Sequence, residues 1–463
     1  MQKHSILMQR QGADNCMYCI TETYMSHRTQ SDTATKLIQL SKVSKDSPSY
    51  KFGSLASLLN EEYLGTCYAE LPRKKALGID GVSVEEYGES LEANLKGLVE
   101  RMKSMSYRPQ AVRKKEIPKD RGGTRTLGIP STEDKIVQKG ITSILTAIFD
   151  PSFIESSYGF RNNKSCHDAL KKVHQEITFK PVNYVIDADI KSFFDTVDHE
   201  WLVKFLEHRI KDKNFIRLII RFLKAGIMDE GIVRASDMGT PQGGIISPIL
   251  ANIYLHYVLD LWFEKRLKKE LQGYASIVRY ADDFIILVER ESDCQVILEA
   301  LKVRLGKFNL TLSESKTSVV KFGRNTDTND EHKHPGTFDF LGFTHYCGKS
   351  KAGKFKVCRR TSKSRLRLGI RKVNIFLKGH KNFYTLQELW ESMSRILRGH
   401  YHYYGVSENL QGLLRYTSRV RRLLYKWLNR RSQRKSYTWE SFQQYLLKYP
   451  LPEPKIYVSF YKH

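Results

Sequence analysis

The chain is organised around Val278-Arg279-Tyr280-Ala281-Asp282-Asp283-Phe284-Ile285-Ile286-Leu287-Val288. The two apolar runs of this stretch are short and rich in strand formers, so they predict two strands joined by a tight turn that carries Asp282 and Asp283. Neighbouring carboxylates between such strands are costly to bury unless a positive group compensates them. A divalent cation with oxygen ligands would do so. For these two residues alone, a water-exposed acidic turn is the simpler interpretation.

A second acidic stretch reads Tyr184-Val185-Ile186-Asp187-Ala188-Asp189-Ile190-Lys191-Ser192-Phe193-Phe194-Asp195. It predicts an apolar strand that ends at Asp189, a position where a rigid element can hold a metal ligand. A helix should follow, with Asp198 as its N-cap. Asp195 and Asp198 are therefore interpreted as local structure.

Two further stretches could approach phosphates. The first, residues 114–125, predicts a hairpin with its turn at Gly122-Gly123 and four basic residues on its arms. Such hairpins are usually only solvated, although Lys and Arg also bind phosphate oxygens through charge-assisted hydrogen bonds. The second is a Gly/Pro loop, residues 238–244, that opens onto an apolar helix and allows close approach of backbone to a ligand. Alone, this loop is a weak signal.

The bulk composition points to a polyanionic partner. The chain has 463 residues, enough for two or three domains, and a formal net charge of +26. Nucleic acid is favoured over membrane, because neither end shows a basic amphipathic helix. No apolar run can cross a bilayer and no secretory signal is visible, so we expect a cytoplasmic protein. The seven scattered cysteines argue against disulfides, and the lone Cys16-x-x-Cys19 pair is interpreted as free thiols rather than zinc ligands.

Composition also divides the chain. Residues 1–54 are polar and predict a loosely ordered extension. From Phe340 to Gln387 there is no acidic residue while basic residues accumulate, which predicts a separate all-helical module over residues 346–463. A second basic block overlaps an apolar helical stripe, which we interpret as core: Tyr416, Val420, Leu423, Leu424, Trp427 and Leu428.

In their order and spacing, these stretches resemble the reverse transcriptases of bacterial group II introns, the intron-encoded reverse transcriptase/maturases. The resemblance covers about residues 55–463. It rests on Arg125-Thr126-Leu127-Gly128-Ile129-Pro130, Ser157-Tyr158-Gly159-Phe160-Arg161, Asp189-Ile190-Lys191-Ser192-Phe193-Phe194-Asp195, Gly239-Thr240-Pro241-Gln242-Gly243-Gly244, Tyr280-Ala281-Asp282-Asp283 and Phe340-Leu341-Gly342-Phe343.

The resemblance implies an α+β right-hand polymerase. Fingers and a palm with an antiparallel sheet would span residues 55–345, followed by an all-α thumb that doubles as the maturase region, residues 346–463. Asp189, Asp282 and Asp283 match the catalytic carboxylates, which with the backbone of Ile190 would hold two Mg²⁺ ions. One ion would activate the primer 3′-hydroxyl, and the other would hold the triphosphate and neutralise the leaving pyrophosphate.

The resemblance also implies further contacts. Phe194 matches the residue that shuts out a ribose 2′-hydroxyl, and Lys119, Arg125, Gln242 and Lys316 match residues that contact the incoming nucleotide. The primer grip would be Phe340, Leu341, Gly342 and Phe343. The segment after the primer grip is strongly basic, so we expect part of its surface to bind structured RNA through phosphates. Its candidate residues are Lys351, Lys354, Lys356, Arg359 and Arg360.

The expected partners are an RNA template, intron RNA, a DNA primer or target and dNTPs, without a membrane. The expected function is RNA-directed DNA synthesis with help to intron splicing and retrohoming. The sequence departs from the family in two ways. Asn162-Asn163 stands where the family has Pro-Asn, a change in a loop. The sequence also ends soon after the thumb, so we expect neither a DNA-binding nor an endonuclease domain. Two alternatives stay open: a non-catalytic RNA-folding splicing factor, and a domesticated relative in phage defence, CRISPR spacer acquisition or repair. The intact aspartate set favours the polymerase.

Overall fold

The computed structural model describes residues 32–118, 123–229, 232–234, 238–240, 243–324, 335–431 and 436–461. Its helices are α1 Asp32–Asp46, α2 Glu61–Ala69, α3 Val84–Gly88, α4 Leu91–Lys103, α5 Thr132–Phe149, α6 Cys166–Phe179, α7 Phe193–Thr196, α8 His199–Glu207, α9 Lys213–Lys224, α10 Ser247–Leu255, α11 Lys268–Glu270, α12 Glu291–Lys307, α13 Lys363–His380, α14 Leu386–Tyr404, α15 Leu410–Leu428 and α16 Trp439–Lys448. Its strands are β1 Val112–Pro118, β2 Thr124–Ile129, β3 Tyr184–Asp189, β4 Ile227–Asp229, β5 Ile232–Arg234, β6 Ala275–Tyr280, β7 Asp283–Val288, β8 Ser318–Lys321, β9 Phe338–Phe340, β10 Phe343–Lys349 and β11 Phe355–Thr361.

The central sheet has the strand order β6-β7-β3-β8, and each neighbouring pair is antiparallel. Residues 284–288 of β7 are all buried because both faces of the sheet are covered. Successive side chains alternate between two cores, with Phe284 and Ile286 in one and Ile285 and Leu287 in the other. The predicted strand–turn–strand and its antiparallel sheet are confirmed.

The first sheet has the order β2-β1-β4-β5. Strands β1 and β2 form the predicted antiparallel hairpin, and β1 pairs with β4 in parallel. Helix α5 follows directly, with the side chain of Ser131 accepting the Asp134 amide as its N-cap. The predicted N-cap Asp198 likewise accepts the amide of Trp201.

The N-terminal segment differs from its prediction. Residues 32–46 form α1, which packs on α5, and the Ser44 hydroxyl donates to the carbonyl of Ile148 and accepts from Arg209 at 2.9 Å. Phe52 is buried and pairs with Ile210. The prediction of loose order is therefore wrong for residues 32–54, because α1 and Phe52 bury surface that the polar composition concealed. Residues 1–31, including Cys16 and Cys19, lie outside the described residues.

The predicted boundary near residue 346 also needs correction. It falls inside β10, which pairs with β9 and β11 in a third, antiparallel sheet, so the helical part begins only at Lys363. Basic residues in β10, β11 and the turn between them hide the strand pattern in the sequence. The helical part is not separate either, since Val406 and Phe460 share a core with Val185 of the central sheet.

The remaining C-terminal core lies between α13, α14, α15 and α16. The apolar stripe of α15 is buried there or packed against it, as predicted: Tyr416, Val420, Leu423, Leu424, Trp427 and Leu428. Within the part of the chain described, no helix has the length and apolar character that crossing a membrane requires.

Acid should destabilise this fold through its buried histidines. His400 is 4 % exposed and stacks on Tyr416 with a ring separation of 3.6 Å, and burial lowers its pKa from 6.5 to about 3. The unfolded chain therefore binds a proton at a pH where the folded chain does not. Stability should fall by up to about 1.4 kcal/mol for each pH unit below about 6.5.

We expect the melting temperature to drop between about pH 7.5 and pH 5.5, and to drop less in His400→Phe, whose ring keeps the stack without the proton site. His402→Phe, at an exposed histidine of the same helix, is the control and should keep the parent's pH dependence. Equal pH dependence in parent and His400→Phe would contradict the linkage.

Candidate active site

The three predicted aspartates come together at one end of the central sheet. Asp189 ends β3 and lies opposite Asp283, the first residue of β7, while Asp282 occupies the turn before it. All three line one open cleft. Antiparallel pairing brings them together because the end of one strand meets the start of its neighbour.

The carboxylates crowd one another. Burial raises the pKa of Asp282, the Asp189 carboxylate adds to this, and the Arg125 guanidinium opposes it. The pKa of Asp283 is raised to about 7, first by burial and then by the carboxylates of Asp187, Asp282 and Asp189. Although the Asp283 side chain opens onto the water of the cleft, the surrounding protein still disfavours its charge.

A lysine supplies the compensating charge for one of them. The Lys316 ammonium lies 2.6 Å from Asp189 Oδ2. The backbone holds this segment in place, since Ser313 donates to the Asp189 carbonyl at 2.7 Å and Leu312 bridges Ile190. The predicted role of the Ile190 backbone as a metal ligand stays a prediction.

These residues nevertheless fit a divalent cation. Across the described ranges, no three His, Cys, Asp or Glu side chains are already gathered in a metal-binding group. The donors are hard carboxylate oxygens, the kind that Mg²⁺ prefers. Burial and neighbouring carboxylates raise the pKa of both Asp282 and Asp283, so a bound cation would favour their charged forms.

The predicted nucleotide contacts are only partly described. Arg125 and Phe194 line the cleft together with the aspartates. Phe194 is buried, and its carbonyl accepts the Thr240 amide at 2.7 Å, which ties the Gly/Pro loop to the aspartate site. Lys119 and Gln242 lie outside the described residues, and their roles stay predictions.

The predicted primer-grip residues divide into two pairs. Phe340 and Phe343 are buried in the core, whereas Leu341 and Gly342 form the tight turn between β9 and β10 and line the cleft. Both turn residues have positive φ, 49° and 80°, as a two-residue hairpin turn of this kind requires. The Tyr403 hydroxyl donates to the Leu341 carbonyl at 3.0 Å and holds this turn to α14.

The predicted RNA-binding residues also separate. Lys351, Lys354 and Arg360 are exposed, while Lys356 pairs with Glu408 at 2.8 Å. The prediction that Arg359 binds RNA needs correction. Its side chain is fully buried, with the guanidinium carbon 4.4 Å from the ring centre of Phe460.

Burial lowers the pKa of Arg359 to about 10, and its guanidinium finds no hydrogen-bond partner among the described residues. It is therefore not available to RNA on this surface. Its inward direction follows from strand alternation, a pattern that the basic composition of the segment conceals.

Sequence reasoning missed how closely α13 approaches the site. Arg365, Leu368, Gly369 and Lys372 line the cleft at helical spacing. The Arg365 guanidinium acts on the carboxyl of Asp283 and opposes the rise of its pKa. The spacing of three, four and seven residues, with a glycine between basic residues, is the signal that could have identified this face.

Comparison with known proteins assigns the family. Residues 112–345 match the reverse transcriptase (RNA-dependent DNA polymerase) family. The matched region includes both the first and the central sheets. The chain belongs to the reverse transcriptase family.

Particular relatives narrow this class. The chain is 33 % identical over 321 residues to the group II intron-encoded protein LtrA of Lactococcus lactis, an alignment that covers 57 % of this chain and 53 % of LtrA. It is 32 % identical over 310 residues to protein YkfC of Escherichia coli, covering 60 % and 78 %.

A 91 kDa protein of the cob intron of Schizosaccharomyces pombe is 36 % identical over 248 residues, covering 53 % and 30 %. The resemblance to group II intron reverse transcriptases is thereby confirmed. The chain spans about half the length of LtrA.

Proposed function

We propose that the chain is an RNA-directed DNA polymerase with right-hand architecture. The first sheet and its helices would form the fingers, the central sheet the palm, and α13–α16 the thumb. The observation that carries the proposal is the set of three aspartates at adjoining strand ends, open to one cleft of a strongly basic chain. The carboxylates can bind divalent cations, while the surplus positive charge elsewhere can bind the phosphates of template and primer.

Asp189 and Asp282 would be the main ligands of two Mg²⁺ ions, with Asp283 and the Ile190 backbone beside them. When bound, the ions would activate the primer 3′-hydroxyl and neutralise charge on the triphosphate and leaving pyrophosphate. Lys316 would give up its pairing with Asp189 and be left within reach of the triphosphate. This exchange keeps Asp189 compensated in both states.

The other residues bind and orient. Arg125 lies close enough to act electrostatically on Asp282, so it can hold triphosphate oxygens beside the carboxylates. Phe194 would close the space beside the sugar, and the backbone of Leu341 and Gly342 would hold the primer strand. Such positioning turns nucleotidyl transfer into an effectively intramolecular step.

The test is primer extension. The chain should extend oligo(dT) on poly(rA) with dTTP and Mg²⁺, and EDTA should stop it. Because Asp283 ionises only near about pH 7, the Mg²⁺ concentration needed for half-maximal rate should fall as the pH rises from about 6 to 8. A chain that binds primer–template but shows no extension at any pH or metal concentration would be a non-catalytic RNA-folding factor instead.

We also propose that the chain binds structured intron RNA and so assists splicing and retrohoming. Its relative LtrA is named as a group II intron-encoded protein. In this chain the support is the exposed β10–β11 turn, where Lys351 and Lys354 project from a stretch without acidic residues. Structured RNA is bound mainly through its phosphates and shape, for which such a turn is suited.

Reversing the charge of this turn should weaken intron RNA binding selectively. In Lys351→Glu/Lys354→Glu, loss of two phosphate contacts should reduce the slope of log K against log salt by roughly two units or slightly less. Extension on a short generic template should change little, because the aspartate site lies elsewhere. Filter binding to the flanking intron RNA, beside primer extension, measures both effects.

The matched control is Lys96→Glu/Lys103→Glu, an equal charge change on the exposed face of α4. It should reproduce the nonspecific effect of four charge units without the selective loss. If both double variants weaken RNA binding equally, the turn is only part of a general positive field. Equal losses of binding and extension would assign the turn to the polymerase alone.

A further inference from the structure

An arginine completely buried next to the aspartate turn uses every hydrogen bond that it can donate. Arg279 in β6 lies three residues before Asp282, and its side chain is 0 % exposed. A guanidinium has five N–H donors. The Arg279 contacts are Nε to Asp260 Oδ1 at 2.7 Å, Nη1 to Asn252 Oδ1 at 3.0 Å and to the Ala281 carbonyl at 2.9 Å, and Nη2 to Ser157 Oγ at 2.7 Å and to Asp260 Oδ2 at 2.5 Å.

Apart from Ala281, the partners of Arg279 come from two separate parts of the chain. Asn252 belongs to α10, and Asp260 ends the π-helical turn His256–Asp260 that continues it. Ser157 forms an isolated parallel β-bridge with Arg279, and the Tyr158 amide donates to the Arg279 carbonyl at 2.8 Å. Arg279 therefore connects the aspartate turn to elements whose positions the core fixes.

The turn itself needs such support. Ala281 has φ of 58°, a left-handed conformation that residues other than glycine rarely adopt. Its carbonyl is the one that Arg279 holds. From the other side Gly159 lies so close that a Cβ there would be 2.3 Å from the Ala281 nitrogen, and Asn252 donates to the Gly159 carbonyl at 2.8 Å.

We propose that Arg279 is a positioning residue that sets the aspartate turn, and through it Asp282, for metal binding. This inference rests on the proposed polymerase function. The Ser157–Gly159 stretch supports the turn from its other side, where Ser157 accepts a hydrogen bond from Arg279 and Gly159 packs against the Ala281 backbone. Asp260 holds the guanidinium in place, and the bond to the Ala281 carbonyl passes that orientation to the residue next to Asp282.

A purely structural ion pair is the competing explanation, and the two predict different results. Removing one charge of a buried pair leaves the other uncompensated and can unfold the chain, whereas replacing both with apolar residues often preserves stability. The informative variant is therefore Arg279→Met/Asp260→Leu. It should keep the fold while losing the contact to the turn.

Three measurements are made on the full chain: melting temperature, primer–template binding by fluorescence anisotropy, and the single-turnover extension rate against Mg²⁺ concentration. We expect near-parental melting and binding, a rate lower by about 100-fold, since misplacement by about 1 Å has that effect, and a raised Mg²⁺ requirement. The control is Tyr107→Phe, which breaks a buried bond to Asp134 elsewhere and should alter stability only.

A folded double variant whose rate is within about tenfold of the parent, at unchanged Mg²⁺ requirement, would overturn the inference. If the double variant does not fold, Arg279→Lys decides, because it keeps the charge facing Asp260 and loses the planar fork. A loss of rate beyond about tenfold with a raised Mg²⁺ requirement supports positioning, and parental kinetics overturn it. A parent chain that binds duplex but never extends it would refute the proposed function instead.

Discussion

Replacing Asp282 by Asn should cut primer extension by several orders of magnitude, because it removes the charge of a proposed metal ligand from the turn beside Asp189 and Asp283. The fold should survive. Burial and neighbouring carboxylates already raise the pKa of both Asp282 and Asp283, so loss of one charge relieves repulsion. Extension of oligo(dT) on poly(rA) with Mg²⁺ measures the loss, and thermal melting in EDTA measures the fold.

Asp195→Asn is the matched control for this change. Asp195 is an exposed carboxylate in the same cleft, and it lies outside the aspartate set. The same chemical change there should leave extension nearly parental. If the Asp282→Asn variant retains activity within about tenfold of the parent, the assignment of the metal site is wrong.

Replacing Phe194 by Ala should raise ribonucleotide incorporation relative to deoxyribonucleotide incorporation. The Phe194 ring lines the cleft in the helix that directly follows Asp189, and its backbone is fixed by the Thr240 amide. If Phe194 closes the space beside the sugar, as we propose, removing its ring opens room for a ribose 2′-hydroxyl. Single-nucleotide kinetics with paired rNTP and dNTP substrates give the ratio.

The competing explanation is that Phe194 serves only as a core aromatic. Its loss would then cost about 3–5 kcal/mol of stability without changing sugar preference. Phe193→Ala is the matched control, since that neighbouring ring is 2 % exposed and lies 5.4 Å from the Phe194 ring. A lowered melting temperature with equal ratios in both variants would assign both rings to the core.

The sequence predicts the strand end and the turn that carry the three aspartates, because their signals are local. An apolar strand ending at Asp189 and an apolar hairpin around Asp282 can be identified from alternation and length. What brings the strands side by side is long-range pairing, and no local pattern encodes it. The pairing of Lys316 with Asp189, 127 residues apart, is of the same long-range kind.

The errors have physical causes as well. The acid-free segment after Phe340 was interpreted as helical because charge dominates its composition, although it begins as β10 and β11. Tertiary burial also overrides residue type at Arg359, which points into the core. The order of α1 could not be anticipated, since its packing partner α5 lies about a hundred residues away.

The core that Val406 and Phe460 share with the central sheet limits how the molecule can come apart. Helices joined to a sheet only by a linker would melt on their own and could be exchanged between relatives as a cassette. Here β10, β11 and residues 458–460 pack in one core with the strands that carry the aspartates, so the helical part is attached to the central sheet through this core. Calorimetry should therefore record coupled unfolding of the central sheet and the helical part. A chimaera with a relative would have to take the residues on both faces of this shared core from the same parent.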